Sequence, residues 1–151
     1  VYMKRVYNLS EYCVGCGLCE VHCATVHSEY PENIWKAHRL ADKRPIARLF
    51  VERNATASLS VQCRHCDEPA CVYACITGAI TKESETGLVL INEDKCVGCS
   101  TCLVACPYGL IKIDPCQKVS LKCDMCKDIA QTPVCVTRCP NEALVCREEE
   151  I

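Results

Sequence analysis

The stretch CVGCSTCLVACP, at residues 96–107, decides how this chain folds. Its cysteines are separated by two, two and three residues, and a proline follows the last of them: Cys96, Cys99, Cys102, Cys106 and Pro107. Cysteines this close together curl the backbone, so that three of the sulfurs converge on one point. The proline fixes φ and lacks an N–H donor, so it turns the chain away after the last cysteine. The stretch therefore predicts a tight thiol-lined loop that leads into a short helix.

The same pattern occurs three more times, once with identical spacing and twice with an insertion. CVGCGLCEVHC repeats it at 13–23. CRHCDEPACVYAC, at 63–75, has four residues between its second and third cysteines, and CDMCKDIAQTPVCVTRCP, at 123–140, has eight. A repeated unit is the strongest organising signal that a sequence can carry. Besides the stretch at 96–107, the motif cysteines are Cys13, Cys16, Cys19, Cys23, Cys63, Cys66, Cys71, Cys75, Cys123, Cys126, Cys135 and Cys139.

This spacing points to cubane iron–sulfur chemistry. In the bacterial ferredoxin run, three thiolates hold one 4Fe-4S cluster and the cysteine after the three-residue spacer ligates the other cluster of a pair. Gly15, Gly17 and Gly98 suit loops in which the backbone approaches a bulky inorganic core or takes a positive φ. The four copies therefore predict four 4Fe-4S clusters, with all sixteen motif cysteines as ligands.

Two other uses of cysteine fit this spacing less well. Eighteen cysteines in 151 residues would suit a disulfide scaffold, but such a domain does not repeat one spacing four times. Zinc takes four ligands in two pairs and has no use for a third cysteine followed by a fourth. A zinc-stapled interaction module nevertheless stays as the alternative from another functional class.

Cubane clusters pass single electrons with little rearrangement, and a protein that only transfers electrons needs no substrate pocket. The sequence also has no obvious set of catalytic residues. It contains no Ser/His/Asp constellation, phosphate loop or G-x-G-x-x-G turn. A catalytic iron–sulfur enzyme would need a motif that lacks one cysteine, whereas all four motifs are complete. We therefore expect a protein that is not itself an enzyme.

Charge and hydropathy limit the partners. The net charge of −2 shows no basic excess, which argues against nucleic acid. No apolar run is long enough to span a bilayer, so no direct membrane insertion is expected. The start VYMKRVYNLSEYCVGC lacks a signal-peptide pattern and the end REEEI lacks an anchoring helix. These features predict a cytoplasmic location and a soluble partner.

Between the motifs the pattern predicts an α+β fold of short helices and small two-stranded sheets. A helix is expected within 33–43 and a hairpin within 47–62. Two small strands are expected between the second and third motifs, and strand-sized apolar segments follow at 109–114 and 142–145.

Several residues outside the motifs carry secondary expectations. Cys116 and Cys146 are expected to be buried inert thiols, and Trp35 to anchor the segment at 24–62. Neither His65 nor the other histidines are expected to be metal ligands. A group of cations either forms a solvated face or docks an acidic partner: Lys36, Arg39, Lys43, Arg44, Arg48 and Arg53.

How the motifs pair cannot be decided from spacing. Sequential pairs and a nested arrangement, in which the first motif joins the fourth, are both open. The long stretch at 24–62 argues only that the first two motifs do not form one compact unit.

The order of the motifs resembles a known family. The phrases QCRHCDEPACVYACITGAI, DKCVGCSTCLVACPYG and CPNEALV resemble the four-cluster electron-transfer subunits of the dimethyl sulfoxide reductase type. They are still more similar to the small soluble CooF-like subunits that serve carbon monoxide dehydrogenase, tungsten aldehyde oxidoreductases, formate dehydrogenases and hydrogenases.

The resemblance implies nested pairing of two bacterial-ferredoxin-like dicluster modules in one polyferredoxin domain, 1–151. The outer module would comprise 1–23 and 107–151, the inner module 63–106, and the segment 24–62 would be an insertion. The implied ligand sets are Cys13, Cys16, Cys19 and Cys139; Cys123, Cys126, Cys135 and Cys23; Cys63, Cys66, Cys71 and Cys106; and Cys96, Cys99, Cys102 and Cys75.

The resemblance also implies the biological role. The chain would relay single electrons between a catalytic oxidoreductase subunit and a second redox protein, which could be a flavoprotein, a ferredoxin or a hydrogenase. Carbon monoxide dehydrogenase is the favoured catalytic partner, and the other three oxidoreductases are alternatives. Self-association of such subunits is also expected.

Overall fold

The computed structural model describes residues 2–150, and these form short helices and short strands. The α-helices are α1 (Leu18–Val26), α2 (Ile34–Arg39), α3 (Ala70–Tyr73), α4 (Thr101–Ala105) and α5 (Val134–Thr137), and a 3-10 helix lies at Glu93–Lys95. The strands are β1 (Tyr2–Asn8), β2 (Phe50–Arg53), β3 (Ser58–Val61), β4 (Ile80–Lys82), β5 (Val89–Ile91), β6 (Lys112–Ile113), β7 (Ser120–Leu121) and β8 (Leu144–Glu150).

The strands pair into two-stranded sheets. β2 pairs antiparallel with β3 from Phe50 opposite Val61, β4 with β5 from Ile80 opposite Ile91, and β6 with β7. β1 pairs with β8. Short helices and two-stranded sheets are what the predicted α+β class requires, whereas the nesting of two modules stays a prediction.

Most local predictions between the motifs are confirmed. The hairpin predicted within 47–62 is β2–β3, and the two strands predicted between the second and third motifs are β4 and β5. Helix α2 lies within the predicted 33–43 segment and begins where the Asn33 side chain accepts a hydrogen bond of 2.9 Å from the Lys36 N–H.

Two expectations about single residues are wrong. Trp35 is 62% exposed and does not anchor its segment, because α2 buries only Ala37. Cys116 is exposed rather than buried, since it lies in the turn between β6 and β7, where its N–H binds the Asp114 carboxylate. Cys146 in β8 is half-buried.

The chain divides into two compact units. Unit 1 contains Cys63–Asp124, the residues before Val6 and the residues after Arg147. Unit 2 contains Val6–Gln62 and Met125–Arg147. The proposed outer and inner modules have different bounds and stay a prediction.

Each unit has its own small core. In unit 1 the buried core cluster is Ile80, Val89, Cys102 and Ile111. In unit 2 it is Cys19, Cys23, Leu49, Val51, Cys135 and Leu144, so half of that core consists of cysteines. Burial of these sulfurs positions the motif loops. In the part of the chain that the structure describes, no helix is long and apolar enough to cross a membrane.

Candidate metal centres

The four motif loops share one unusual backbone conformation. The residue just before the second cysteine has a positive φ in every copy: Gly15 at 68°, His65 at 47°, Gly98 at 66° and Met125 at 59°. A left-handed conformation costs a residue with a side chain about 1–2 kcal/mol, so His65 and Met125 must gain from their surroundings. Both are buried. The two motifs with an insertion therefore have the same backbone conformation at this position as the two motifs without one.

Gly98 shows why a side chain is excluded from one of these positions. A Cβ added to Gly98 would fall on the carbonyl oxygen of Lys118. Gly109 also has a positive φ, of 61°, but a Cβ there would meet no atom within 4 Å. A side chain at Gly98 would therefore meet both a steric clash and an unfavourable φ, whereas a side chain at Gly109 would meet the unfavourable φ alone.

We expect Gly98→Ala to cost more than about 3 kcal/mol of stability, because backbone strain is added to a clash with backbone. Gly109→Ala should cost only about 1–2 kcal/mol, since it adds conformational strain alone. Thermal unfolding midpoints and retained iron of both anaerobically purified variants test this expectation. Equal losses in the two variants would contradict it.

One cavity, in unit 2, brings together cysteines from both ends of the sequence. This Cys13 cavity has a volume of about 360 Å³, including its open mouth, and its lining contains Cys13, Cys16, Cys19 and Cys139. Apolar side chains such as Val14, Val51 and Leu144 complete much of the wall. The first three cysteines of the first motif and the last cysteine of the fourth motif thus line a common space.

A second cavity, in unit 1, is built in the same way. This Cys63 cavity has a volume of about 380 Å³, including its mouth, and its lining contains Cys63, Cys66, Cys71 and Cys106. Pro107, Leu110 and Ile111 contribute apolar wall. Three cysteines of the second motif and the last cysteine of the third motif thus line it together.

Two further motif cysteines of unit 1, Cys96 and Cys102, lie against Ser120. The Ser120 N–H points at the Cys96 sulfur at 3.4 Å, and its hydroxyl oxygen lies 3.3 Å from the Cys102 sulfur. Cys75 is close enough to Cys99 for their charges to interact. In unit 2, Cys23 and Cys135 belong to the same buried cluster. The ligand sets of these two groups stay predictions.

Donors around the sulfurs favour thiolates. The backbone N–H of Arg48 points at the Cys23 sulfur at 3.3 Å, and the backbone N–H of His65 points at the Cys63 sulfur at 3.5 Å. The Thr101 hydroxyl lies 3.4 Å from the exposed Cys99 sulfur and, with the Thr101 N–H, lowers the pKa of that thiol. Hydrogen bonds to sulfur also help to set the reduction potential of a bound iron–sulfur cluster.

Burial acts in the opposite direction on other thiols. It raises the pKa of Cys19, against a hydrogen bond with Ser60. It also raises the pKa of Cys71, against the positive charge of Lys122. For Cys75 burial is again the largest single influence, but the N–H groups of Ile80 and its neighbours, with the Thr77 hydroxyl, outweigh it and lower the pKa. Ligation by a positively charged metal centre would satisfy thiolates that burial otherwise disfavours.

The sequence did not indicate that His65 and Lys122 are buried side chains of the Cys63 cavity. His65 is 1% exposed, and its Nδ1 accepts a hydrogen bond of 3.0 Å from the Val89 N–H. Burial and then the charge of Lys122 lower the His65 pKa to about 3. Lys122 is 4% exposed. Lys95 and Lys122 each precede the first cysteine of a motif, so only the fold distinguishes the exposed lysine from the buried one.

The donor set in both cavities fits a cubane cluster. Each cavity offers four thiols, a largely apolar wall and a loop whose backbone takes the positive φ found in all four motifs. Soft thiolate ligands in groups of four are those that 4Fe-4S clusters require.

Comparison with known proteins agrees with this chemistry. Residues 55–149 match the family model described as a 4Fe-4S dicluster domain. Among curated proteins of Escherichia coli (strain K12), the putative electron transport protein YsaA is 32% identical over 91% of this chain and 85% of its own length. One chain of the anaerobic dimethyl sulfoxide reductase is 35% identical over 89% of this chain and 68% of its own length. The putative oxidoreductase UacF is 37% identical, but the matched region spans only 19% of its length.

A solved structure shares the fold. A chain of the active site complex BamBC of benzoyl coenzyme A reductase, in complex with benzoyl-CoA, aligns with a TM-score of 0.54 and 23% identity. The alignment covers all of this chain and 83% of the other. The family match and the eighteen cysteines together show that this chain carries multiple 4Fe-4S clusters.

Proposed function

The chain belongs to the 4Fe-4S dicluster domain family, and from that premise we propose that it relays single electrons through four clusters between a catalytic oxidoreductase subunit and a second redox protein. The observation that carries this proposal is the pair of cavities, each lined by four motif cysteines. All four motifs are complete, so each cluster has a full ligand set and none needs an open site for substrate.

The proposal assigns the ligands in nested fashion. The first and fourth motifs exchange their last cysteines, and so do the second and third. The sets are Cys13, Cys16, Cys19 and Cys139; Cys123, Cys126, Cys135 and Cys23; Cys63, Cys66, Cys71 and Cys106; and Cys96, Cys99, Cys102 and Cys75. The two cavities support the first and third sets, and the electrostatic influence of Cys75 on the Cys99 thiol supports the fourth.

The protein's own residues hold the redox centres rigidly and leave some of them close to the surface. Bound 4Fe-4S clusters would supply one-electron transfer with little rearrangement. Cys16 and Cys99 are exposed motif cysteines, whereas Cys19 and Cys102 are buried. A motif with one exposed and one buried sulfur brings its centre within reach of a docked partner while still shielding it from water.

The named relatives support the kind of partner. The dimethyl sulfoxide reductase relative is by name one chain of an oxidoreductase, and YsaA is by name an electron transport protein. By analogy this chain is a non-catalytic subunit. We propose carbon monoxide dehydrogenase as its catalytic partner, with an aldehyde oxidoreductase, formate dehydrogenase or hydrogenase as alternatives. A reducing cytoplasm, an acceptor such as a flavoprotein, ferredoxin or hydrogenase, and self-association complete the proposal.

Iron and sulfide analysis of the anaerobically purified chain tests the cluster number. Four clusters predict about sixteen iron atoms and about sixteen sulfides per chain, with broad absorption at about 400 nm that bleaches on reduction. The zinc-stapled module predicts a colourless protein that contains zinc and no sulfide. About eight iron atoms would reject the four-cluster assignment while keeping a dicluster protein.

A further inference from the structure

The Cys63 cavity differs from the Cys13 cavity in the charge of its lining. Arg64, His65 and Lys122 line the Cys63 cavity in addition to its cysteines and apolar residues. The lining of the Cys13 cavity contains neither a cationic residue nor a histidine. Because each cavity brings together four motif cysteines, the two form a matched pair within one chain. Clusters of the same kind would therefore experience different electrostatic surroundings.

Lys122 is the buried cation of the Cys63 cavity. Its Nζ donates hydrogen bonds to the carbonyl oxygen of Val89 and, at 2.9 Å, to that of Cys123. Both acceptors are uncharged. Among the ion pairs of residues 2–150, none includes Lys122. Its hydrogen bonds therefore leave its charge in place, and at His65 that charge outweighs the opposing charge of Asp124.

Arg64 and His65, which also line this cavity, contribute less positive charge to it than Lys122 does. Arg64 is exposed and stacks on the Tyr108 ring, with 4.6 Å between its guanidinium carbon and the ring centroid. Water and salt screen a charge in that position. His65 accepts the Val89 N–H while Lys122 binds the Val89 carbonyl, so the peptide groups of this β5 residue fix both side chains in place.

We infer that Lys122 raises the reduction potential of the cluster held by Cys63, Cys66, Cys71 and Cys106, so that electrons settle there in preference to the Cys13 cavity. This inference rests on the proposed function, because it takes the ligand sets from it. Reduction adds one electron from an external reductant and makes the cluster with its thiolates one unit more negative; no bond breaks and no proton moves. A buried cation stabilises that added charge, because the surrounding protein screens it less than water does.

Redox titration of the complete chain, monitored by electron paramagnetic resonance with dithionite and mediators, measures this effect. The cluster of the Cys63 cavity is identified as the signal lost or altered in Cys71→Ser or Cys106→Ser. In Lys122→Met and Lys122→Gln, the equilibrium constant for its reduction should fall at least tenfold, which is about 59 mV for a one-electron couple. The signal altered in Cys13→Ser should not move.

Matched variants separate charge from structure. Lys122→Arg keeps a positive charge and should keep the wild-type potential, whereas Lys122→Gln keeps a hydrogen-bond donor without the charge and should not. Lys95→Met changes an exposed lysine at the equivalent place before Cys96 and should leave all potentials unchanged. Loss of the cluster in both neutral variants, with retention in Lys122→Arg, would overturn the inference in favour of a structural role.

The outcomes also separate this inference from the proposed function. An unmoved potential in Lys122→Gln would overturn the role of Lys122 while leaving the electron relay intact. If neither Cys71→Ser nor Cys106→Ser altered a cluster signal, the assigned ligand set itself would fail, and the inference would fail with it. In the wild-type chain, the signal of the Cys63 cavity should titrate at a higher potential than that of the Cys13 cavity; the reverse order would also overturn the inference.

Discussion

Removal of iron is expected to abolish the cooperative unfolding transition of the whole chain. The buried apolar cluster of unit 2 has six members, of which Cys19, Cys23 and Cys135 are three, and the buried apolar cluster of unit 1 has four. One Phe and one Trp are available to fill the interior, and Trp35 is exposed. The stability of an ordinary domain is about 5–15 kcal/mol, so cores this small depend on the clusters that the cysteines bind.

Circular dichroism and thermal unfolding measure this effect. Protein treated with acid or with a strong chelator under reducing conditions should lose its transition, and addition of ferrous iron and sulfide should restore it. The control is the same treatment followed immediately by reconstitution, which corrects for irreversible aggregation. An apoprotein that still unfolds cooperatively near the original temperature would show that the apolar residues fold the chain without the clusters.

Local elements with strong spacing signals could be predicted from the sequence. The hairpin β2–β3 follows from alternating apolar residues on either side of the short connection NATA, at 54–57. Helix α2 follows from an apolar pattern preceded by Asn33, which is a favourable N-cap. The shared loop conformation was indicated at Gly15 and Gly98, because glycine tolerates a positive φ.

Features that depend on distant contacts could not be predicted. The pairing of β1 with β8 joins segments near opposite ends of the chain, and no local pattern specifies such a partner. His65 adopts a positive φ that its residue type disfavours, because its burial and its hydrogen bond to Val89 compensate. Likewise, the sequence places Lys95 and Lys122 in equivalent positions, and only tertiary packing buries one of them.

Exchange of last cysteines between motifs predicts that Cys13→Ser and Cys139→Ser impair the same cluster. The two residues are far apart in sequence, yet both line the Cys13 cavity. Serine is a poor ligand for iron in a thiolate site, so each variant should lose or convert one of four clusters, with up to about four iron atoms lost. The electron paramagnetic resonance spectra of the two variants should lack the same signal, and the double variant should lose no more than either single variant.

Sequential pairing makes the opposite prediction. In that arrangement the fourth motif pairs with the third, so Cys139→Ser would impair the same signal as Cys96→Ser and would leave the signal altered by Cys13→Ser intact. Cys116→Ser provides the matched control, since Cys116 is exposed and lies outside the motifs, and it should retain the full complement of iron. Additive loss of iron in the double variant Cys13→Ser/Cys139→Ser would reject the nested arrangement, because two residues that hold one cluster can remove it only once.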